Sequence, residues 1–354
     1  MKNYVANIIM TQLSMFVLIL LIMKNKTLKK SAKKGIVITS FMIMICSLSE
    51  FMGILLDGKD SSLRILHIAV KFTEFSLAPI IPVAFSTAFY PIKSKKLVFI
   101  PNAVNIALVI LSLFFGFIFN VDGDNYYHHG RFYYLYYFFI SLGVIFLVCT
   151  AVRFGAHFQN RNNLSLGMIL IFVFAGAVCQ AADSSLKIVW LTVAIGMILF
   201  YIYYCNMILQ IDALTELLNR RSYDSRIGYQ HRRAVILYFD INNFKSINDN
   251  YGHNTGDLCL QTVARVLKEV YGRRGLCYRI GGDEFCVIID RRTDLVDVEK
   301  LNERFGNTLF EFEKDGKIGT TVAIGYAVFE PSSMKFADAI AIADSRMYLN
   351  KSSK

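Results

Sequence analysis

Arg279-Ile280-Gly281-Gly282-Asp283-Glu284-Phe285 sets two adjacent carboxylates directly behind a glycine pair. Apolar residues alternate on either side, with Cys277 before the pair and Phe285, Val287 and Ile289 after it, so the stretch predicts two strands joined by a tight Gly-Gly turn. Such a turn has no side chain to block a phosphate, and its amides can face an anion. Upstream, residues 235–241 form a short apolar run rich in strand formers, with Asp240 near its end. If that strand lies beside the hairpin, Asp240 and Asp283 meet at one edge. Two hard oxygen donors there suit magnesium, which takes the rest of its shell from water and substrate phosphates.

Two glycines followed by acids also describe an ordinary solvent-facing hairpin, so the flanking sequence has to decide. Asp240-Ile241-Asn242-Asn243-Phe244-Lys245-Ser246-Ile247-Asn248-Asp249 runs into Tyr251-Gly252-His253-Asn254-Thr255-Gly256-Asp257, a stretch dense in amide, carboxylate, imidazole and ammonium groups. Before it stands Asp212-Ala213-Leu214-Thr215-Glu216-Leu217-Leu218-Asn219-Arg220-Arg221, and after it Ala343-Asp344-Ser345-Arg346-Met347-Tyr348-Leu349-Asn350-Lys351. In this order and spacing the four blocks resemble the GGDEF family of diguanylate cyclases, over roughly residues 210–354.

The resemblance implies an α/β nucleotidyl-cyclase-like domain, with a central and mostly antiparallel sheet flanked by helices. It implies condensation of two GTP molecules into cyclic diguanylate, with release of two pyrophosphates. By the same resemblance Asp240 and Asp283 bind magnesium, or manganese in its place, with the Ile241 carbonyl assisting. Asn248 and Asp257 read the guanine edge, His253 is a further substrate contact, and Lys245 and Lys351 face the phosphates. Asp283, Glu284 and Lys245 make up the expected catalytic set. Arg279, Gly281 and Gly282 join Asn248, His253, Asp257 and Lys351 in the substrate-binding set.

The chemistry agrees on its own terms. The 3′-hydroxyl of one GTP must attack the α-phosphate of another, so the site has to activate a hydroxyl and neutralise a leaving pyrophosphate; metal ions do both. Asp283 can accept the hydroxyl proton or act through metal coordination alone. Lys245 supplies positive charge where negative charge accumulates. An amide and a carboxylate together meet guanine's donors and acceptors, whereas adenine would leave the carboxylate without its donors. One GTP per domain and two per product call for a homodimer with facing sites.

Four positions depart from the family pattern. Glu216 stands where glycine is usual, which predicts altered local backbone or dimer contacts. Asn242 replaces a common aspartate and reads as neutral. Gly272 and Gly275 occupy the positions of an inhibitory Arg-x-x-Asp, so weak inhibition by product is expected.

The first 209 residues have a different character. The chain is 55% apolar and 14% aromatic, and these residues concentrate in long runs before position 210. A bilayer-spanning helix needs roughly 20 apolar residues. Seven candidates stand at about 5–23, 35–56, 65–90, 97–119, 132–152, 164–182 and 187–209, the third containing Lys71 and Glu74. At i, i+3 those two share a helix face and are expected to satisfy one another. Lys24, Lys26, Lys29, Lys30, Lys33 and Lys34 lie between the first two runs, Lys93, Lys95 and Lys96 in the third connection, and Arg153 and Arg161 in the fifth. The other connections carry Asp57, Asp60, Asp122, Asp124 and Asp183. The positive-inside rule then sets the N-terminus outside and the C-terminal domain in the cytoplasm, as a multi-pass protein of the inner membrane.

Residues 210–354 hold 21 Lys/Arg and 20 Asp/Glu, and residues 1–209 hold 17 and 7, so nearly all of the +11 charge is a topology signal. It gives no support to nucleic-acid binding, and Arg232-Arg233 and Arg273-Arg274 read as solvated turns. The seven cysteines lack zinc-like pairing and read as reduced. The first apolar run outlasts a typical signal-peptide core and lacks a small-residue cleavage site. The expected organisation is a membrane domain at 1–209, in contact with lipid and sensory or dimerising, and a cytoplasmic catalytic domain at 210–354. With so short a linker, the last span is expected to continue as a stiff helix into the catalytic domain and to carry an extracellular or intramembrane signal. An active cyclase and a non-catalytic GTP-binding receptor or scaffold both fit this organisation.

Overall fold

Long apolar stretches can satisfy every backbone polar group only as helices, and the first part of the chain is helical almost throughout. The structure is a computed structural model that describes residues 2–89, 95–159, 163–183, 185–228, 230, 232–290, 295–314 and 320–352. Lys93 and Arg161 lie outside the described residues. The chain divides into two units, Met1–Ala156 with Arg161–Tyr204 and His157–Asn160 with Cys205–Lys354.

The first unit holds α1 (Lys2–Lys24), α2 (Lys30–Leu56), α3 (Arg64–Leu77), α4 (Ile80–Phe89), α5 (Lys95–Phe115), a hairpin of β1 (Phe119–Val121) and β2 (Tyr127–His129), α6 (Tyr134–His157), α7 (Asn163–Ala182) and α8 (Val189–Ile208). Six of the described helices are long and apolar enough to cross a membrane, and a seventh is counted if α3 and α4 form one bent span. Large apolar side chains such as Phe16, Phe41, Phe114 and Phe174 are exposed.

The third expected span is therefore broken, with a bend of 44°. Pro79 has no N–H to give the Phe75 carbonyl one turn back, which is the usual cause of such a kink. The buried Asn105 donates to that carbonyl at 3.0 Å and restores the lost bond. Lys71 and Glu74 do meet, at 3.0 Å and largely shielded from solvent, and the Lys71 ammonium also lies 4.8 Å from the Tyr127 ring centroid.

The second unit holds α9 (Arg220–Gly228), β3 (Ala234–Ile241), α10 (Phe244–Tyr251), α11 (His253–Tyr271), β4 (Leu276–Arg279), β5 (Glu284–Ile289), α12 (Leu295–Lys314), β6 (Val322–Phe329) and α13 (Phe336–Ser352). The strands pair antiparallel in the order β4-β5-β3-β6. Every residue of β3 is buried, because both faces of the sheet are covered. Val235, Leu237 and Phe239 pack in one core with Val263, Leu267 and Phe305 from α11 and α12. Ile236 and Tyr238 alternate into a second core with Tyr223 of α9 and Ala343 and Met347 of α13.

The expected stiff helical junction is absent. α8 ends at Ile208, and the next helix begins only at Arg220. Between them, Ile211 and Leu218 form an antiparallel bridge. Asp212 accepts from the Thr215 amide at 2.9 Å and hydroxyl at 2.7 Å, and Asn219 donates to the Leu209 carbonyl at 2.9 Å. These short polar side chains offer the backbone a turn in place of another helical hydrogen bond. Glu216 inside the turn has φ +57°, a left-handed conformation that costs an L-residue roughly 1 kcal/mol.

The Lys71–Glu74 pair yields a direct test. Glu74→Ala should cost about 3–5 kcal/mol by leaving a buried ammonium unpaired, whereas Lys71→Met with Glu74→Leu should be close to neutral. Thermal unfolding in detergent distinguishes them; equal losses in the two proteins would show that the pair is not acting as a self-contained contact.

Candidate active site

The central strand β3 and the β4–β5 hairpin bring the acids together. In the β3–β5 register Asp240 lies opposite Glu284, and the Ile241 amide donates to the Asp283 carbonyl at 3.3 Å. Asp240 is 6% exposed, and its carboxylate accepts from Lys351 Nζ at 2.5 Å. That bond holds the Lys351 ammonium above the ordinary lysine range against partial desolvation, with the charges of Asp240, Asp283 and Glu284 adding to it. The Glu284 carboxyl is pushed up by burial first, then by the charges of Asp240, Asp283 and Asp344, with Arg220 opposing. Sequence reasoning left Arg220 and Asp344 without a role, although both lie inside the quoted blocks.

The two glycines differ in what they do. A Cβ on Gly281 would come within 2.5 Å of Glu284 Oε2, so the absent side chain makes room for that carboxylate. Nothing would meet a Cβ on Gly282, which leaves that side of the turn open. The amides of Ile280 and Gly281 both donate to the Glu284 carbonyl, at 3.0 and 3.3 Å. The Gly281 amide thus closes the loop and does not face an anion as expected. Arg279 is also engaged within the protein, donating to the Gly282 carbonyl at 2.8 Å and to Asp212 at 3.1 Å.

The remaining site residues come from α10 and α11. Lys245 is exposed on the first turn of α10, and His253 and Asp257 are exposed at the start of α11. Asn248 on α10 lies against Gly256, where a Cβ would stand 2.0 Å from Asn248 Oδ1. Only glycine allows the two helices to approach so closely, and the contact puts the Asn248 amide next in space to the residue that precedes Asp257. Asn242, read as neutral, donates through its side chain to Thr321 Oγ1 at 2.9 Å.

Among the described residues no three His, Cys, Asp or Glu side chains form a metal-binding group. Burial and then the neighbouring charges of Asp240 and Asp283 nevertheless raise the proton affinity of Glu284, and Asp240 already draws in the Lys351 ammonium. A pair of carboxylates of this kind fits a magnesium ion that completes its shell from water and substrate, and does not fit a metal held by protein alone. Elsewhere, Arg233 pairs with Glu330, and Arg274 lies 3.6 Å from Asp297, so each basic dipeptide has an acidic partner. A hollow of about 430 Å³ is lined by Glu269, Arg273, Arg274 and Arg304 and by none of the site residues.

Residues 209–354 match the family model described as diguanylate cyclase, GGDEF domain. The chain is 31% identical over 150 residues to the diguanylate cyclase DosC of Escherichia coli (strain K12), covering 40% of this chain and 32% of that protein. It is 32% identical over 143 residues to the cyclic di-GMP phosphodiesterase PdeB of Shewanella oneidensis, covering 37% and 17%. The GGDEF domain of DgcB from Caulobacter crescentus, solved in complex with c-di-GMP, aligns with 41% of this chain and 91% of its own at 26% identity and a TM-score of 0.36. The chain spans a third or less of the length of these curated relatives.

The Asp212–Arg279 contact generates a pH prediction. Burial raises the Asp212 carboxyl, but its bonds to Thr215 and Arg279 outweigh this and leave it below the usual carboxylate range. A pKa depressed by folding gives stability that is present above about pH 3.9 and is lost as pH falls through the folded value. Asp212→Asn should therefore lose about 1–2 kcal/mol at neutral pH. The gap to wild type should close as pH drops below about 4. Denaturation followed across that range tests this, and a gap independent of pH would contradict it.

Proposed function

Because residues 209–354 are a GGDEF domain, we propose that this protein is a membrane-bound diguanylate cyclase that condenses two GTP into cyclic diguanylate and two pyrophosphates. The observation that carries the proposal is the meeting of Asp240, Asp283 and Glu284 at one sheet edge, with Lys351 drawn onto Asp240. Relatives of this domain bear different names, so the side chains, more than the match itself, support turnover.

Asp240 and Asp283, with the Ile241 carbonyl, would hold magnesium or manganese, which when bound neutralises phosphate charge and acidifies the attacking hydroxyl. Asn248 and Asp257 orient the guanine, with His253 beside them at the start of α11. Lys245 and Lys351 oppose the phosphate charge, and Lys351 can turn from Asp240 to a phosphate oxygen without leaving the site. Asp283 or Glu284 takes the hydroxyl proton; the raised affinity of Glu284 suits it to hold one. Gly282, open on its outer side, lets a phosphate approach the backbone.

Each domain reads one guanine, so the productive species is a homodimer. The apolar helices of the first unit sit in lipid, with the N-terminus outside, the lysine-rich connections inside and the GGDEF domain in the cytoplasm. They receive a signal from outside or within the membrane, or fix the geometry of the dimer.

Asp240→Asn and Asp283→Ala should each reduce product formation by at least about 100-fold with expression and membrane insertion intact. GTP binding with turnover retained in either variant would remove the metal assignment. For the base, Asp257→Ser and Gly256→Ala should each lower the GTP-over-ATP preference in kcat/KM by about tenfold or more, the second by displacing Asn248. An unchanged ratio in both would take these helices out of base recognition.

A further inference from the structure

β4 is four residues long and forms one edge of the sheet, yet on its outer side the Cys277 amide and carbonyl and the Arg279 amide are all occupied. Leu218 covers the C-terminal half: its amide donates to the Cys277 carbonyl at 3.1 Å, and its carbonyl accepts from the Arg279 amide at 2.8 Å. The other half is covered by one side chain from far away in sequence. Gln159 Oε1 accepts from the Cys277 amide at 2.9 Å, and Gln159 Nε2 donates to the Gly275 carbonyl at 3.1 Å. A primary amide carries the same acceptor and donor as a peptide group, so Gln159 pairs with the strand edge as one residue of a neighbouring strand would.

Two further contacts hold the same segment. The Phe158 ring centroid lies 5.7 Å from Lys268 Nζ on α11, and His157 Nε2 is 3.3 Å from Glu216 Oε2. Both Gln159, at φ +56°, and Glu216, at φ +57°, occupy the left-handed region that side chains other than glycine and asparagine seldom adopt. Strained backbone of this kind, here at Gln159 and at the Glu216 that His157 meets, is retained where the surrounding bonds over-determine it.

We infer that Gln159 is a positioning residue for the catalytic hairpin: its amide fixes the start of β4 and, through residues 277–279, sets the turn that presents Asp283 and Glu284. Arg279, at the end of β4, passes the constraint to the turn by donating to the Gly282 carbonyl. This inference rests on the cyclase reading for its effect on rate, though the contact itself can be tested without turnover.

The experiment compares full-length wild type, Gln159→Ala and Gln159→Glu in detergent by hydrogen exchange and by GTP kinetics. Gln159→Ala should make one amide in peptides covering residues 275–280 exchange at least about tenfold faster, while peptides from β3 stay protected. It should lower kcat about five- to tenfold and leave the KM for GTP within about twofold, because α10 and α11 keep their base-reading residues. Gln159→Glu keeps the acceptor for Cys277 and loses the donor to Gly275, so it should fall between the two. If Gln159→Ala exposes β3 as well, the fold is lost and Gln159→Glu alone carries the comparison. Unchanged exchange at 275–280, or faster exchange with unchanged kcat, would overturn the inference. A wild type that makes no product would defeat the cyclase reading and leave the exchange result to judge the contact.

Discussion

Asp240 faces Glu284 across the β3–β5 ladder with Asp283 one residue further on, and the second unit is arranged around holding that like-charge group in place. Acids directly opposite one another in a sheet repel, and are retained only where the strands cannot slip. β3 cannot slip, because alternate residues are locked into two separate cores, one with α11 and α12 and the other with α9 and α13. A one-residue shift would exchange Phe239 for Tyr238 between cores already filled. The charge is offset locally by Lys351, from the last helix, and by Arg220, from the first helix of the unit. That electrostatic cost is what the proposed function would use, since a fixed cluster of acids suits a divalent cation.

The hairpin bearing two of those acids is supported less evenly. β5 is flanked on both sides, whereas β4 is a short edge strand completed by Leu218 of the junction and by the Gln159 amide. Arg279 ties its end to Asp212 and to Gly282. The turn that bears Asp283 and Glu284 therefore rests on an edge strand held by side chains from distant parts of the sequence within the same unit.

The second unit was legible because its sequence signals are local. The alternation around Gly281 and Gly282 and the apolar run ending near Asp240 read as strands, whereas the flanking helices were expected only from the resemblance of the four blocks to the GGDEF family. The bend at Pro79 was legible in principle, but hydropathy averages over 20 residues and does not register a single missing N–H. The end of α8 at Ile208 was not, because residues 205–211 continue an apolar pattern; what stops the helix is Asp212 and Asn219, whose side chains take over backbone partners. Nor did sequence suggest the Gln159 contact, which joins positions 118 residues apart through one neutral amide. Long-range pairs of that kind leave no periodicity to read.

The central claim is that this acidic edge performs a symmetric condensation. Full-length protein in detergent, supplied with GTP and magnesium, should yield one cyclic diguanylate for every two pyrophosphates, measured by chromatography and a coupled pyrophosphate assay. The rate per protein should fall on dilution as dimers separate. GTP bound without turnover, or pyrophosphate released without the cyclic product, would contradict the account.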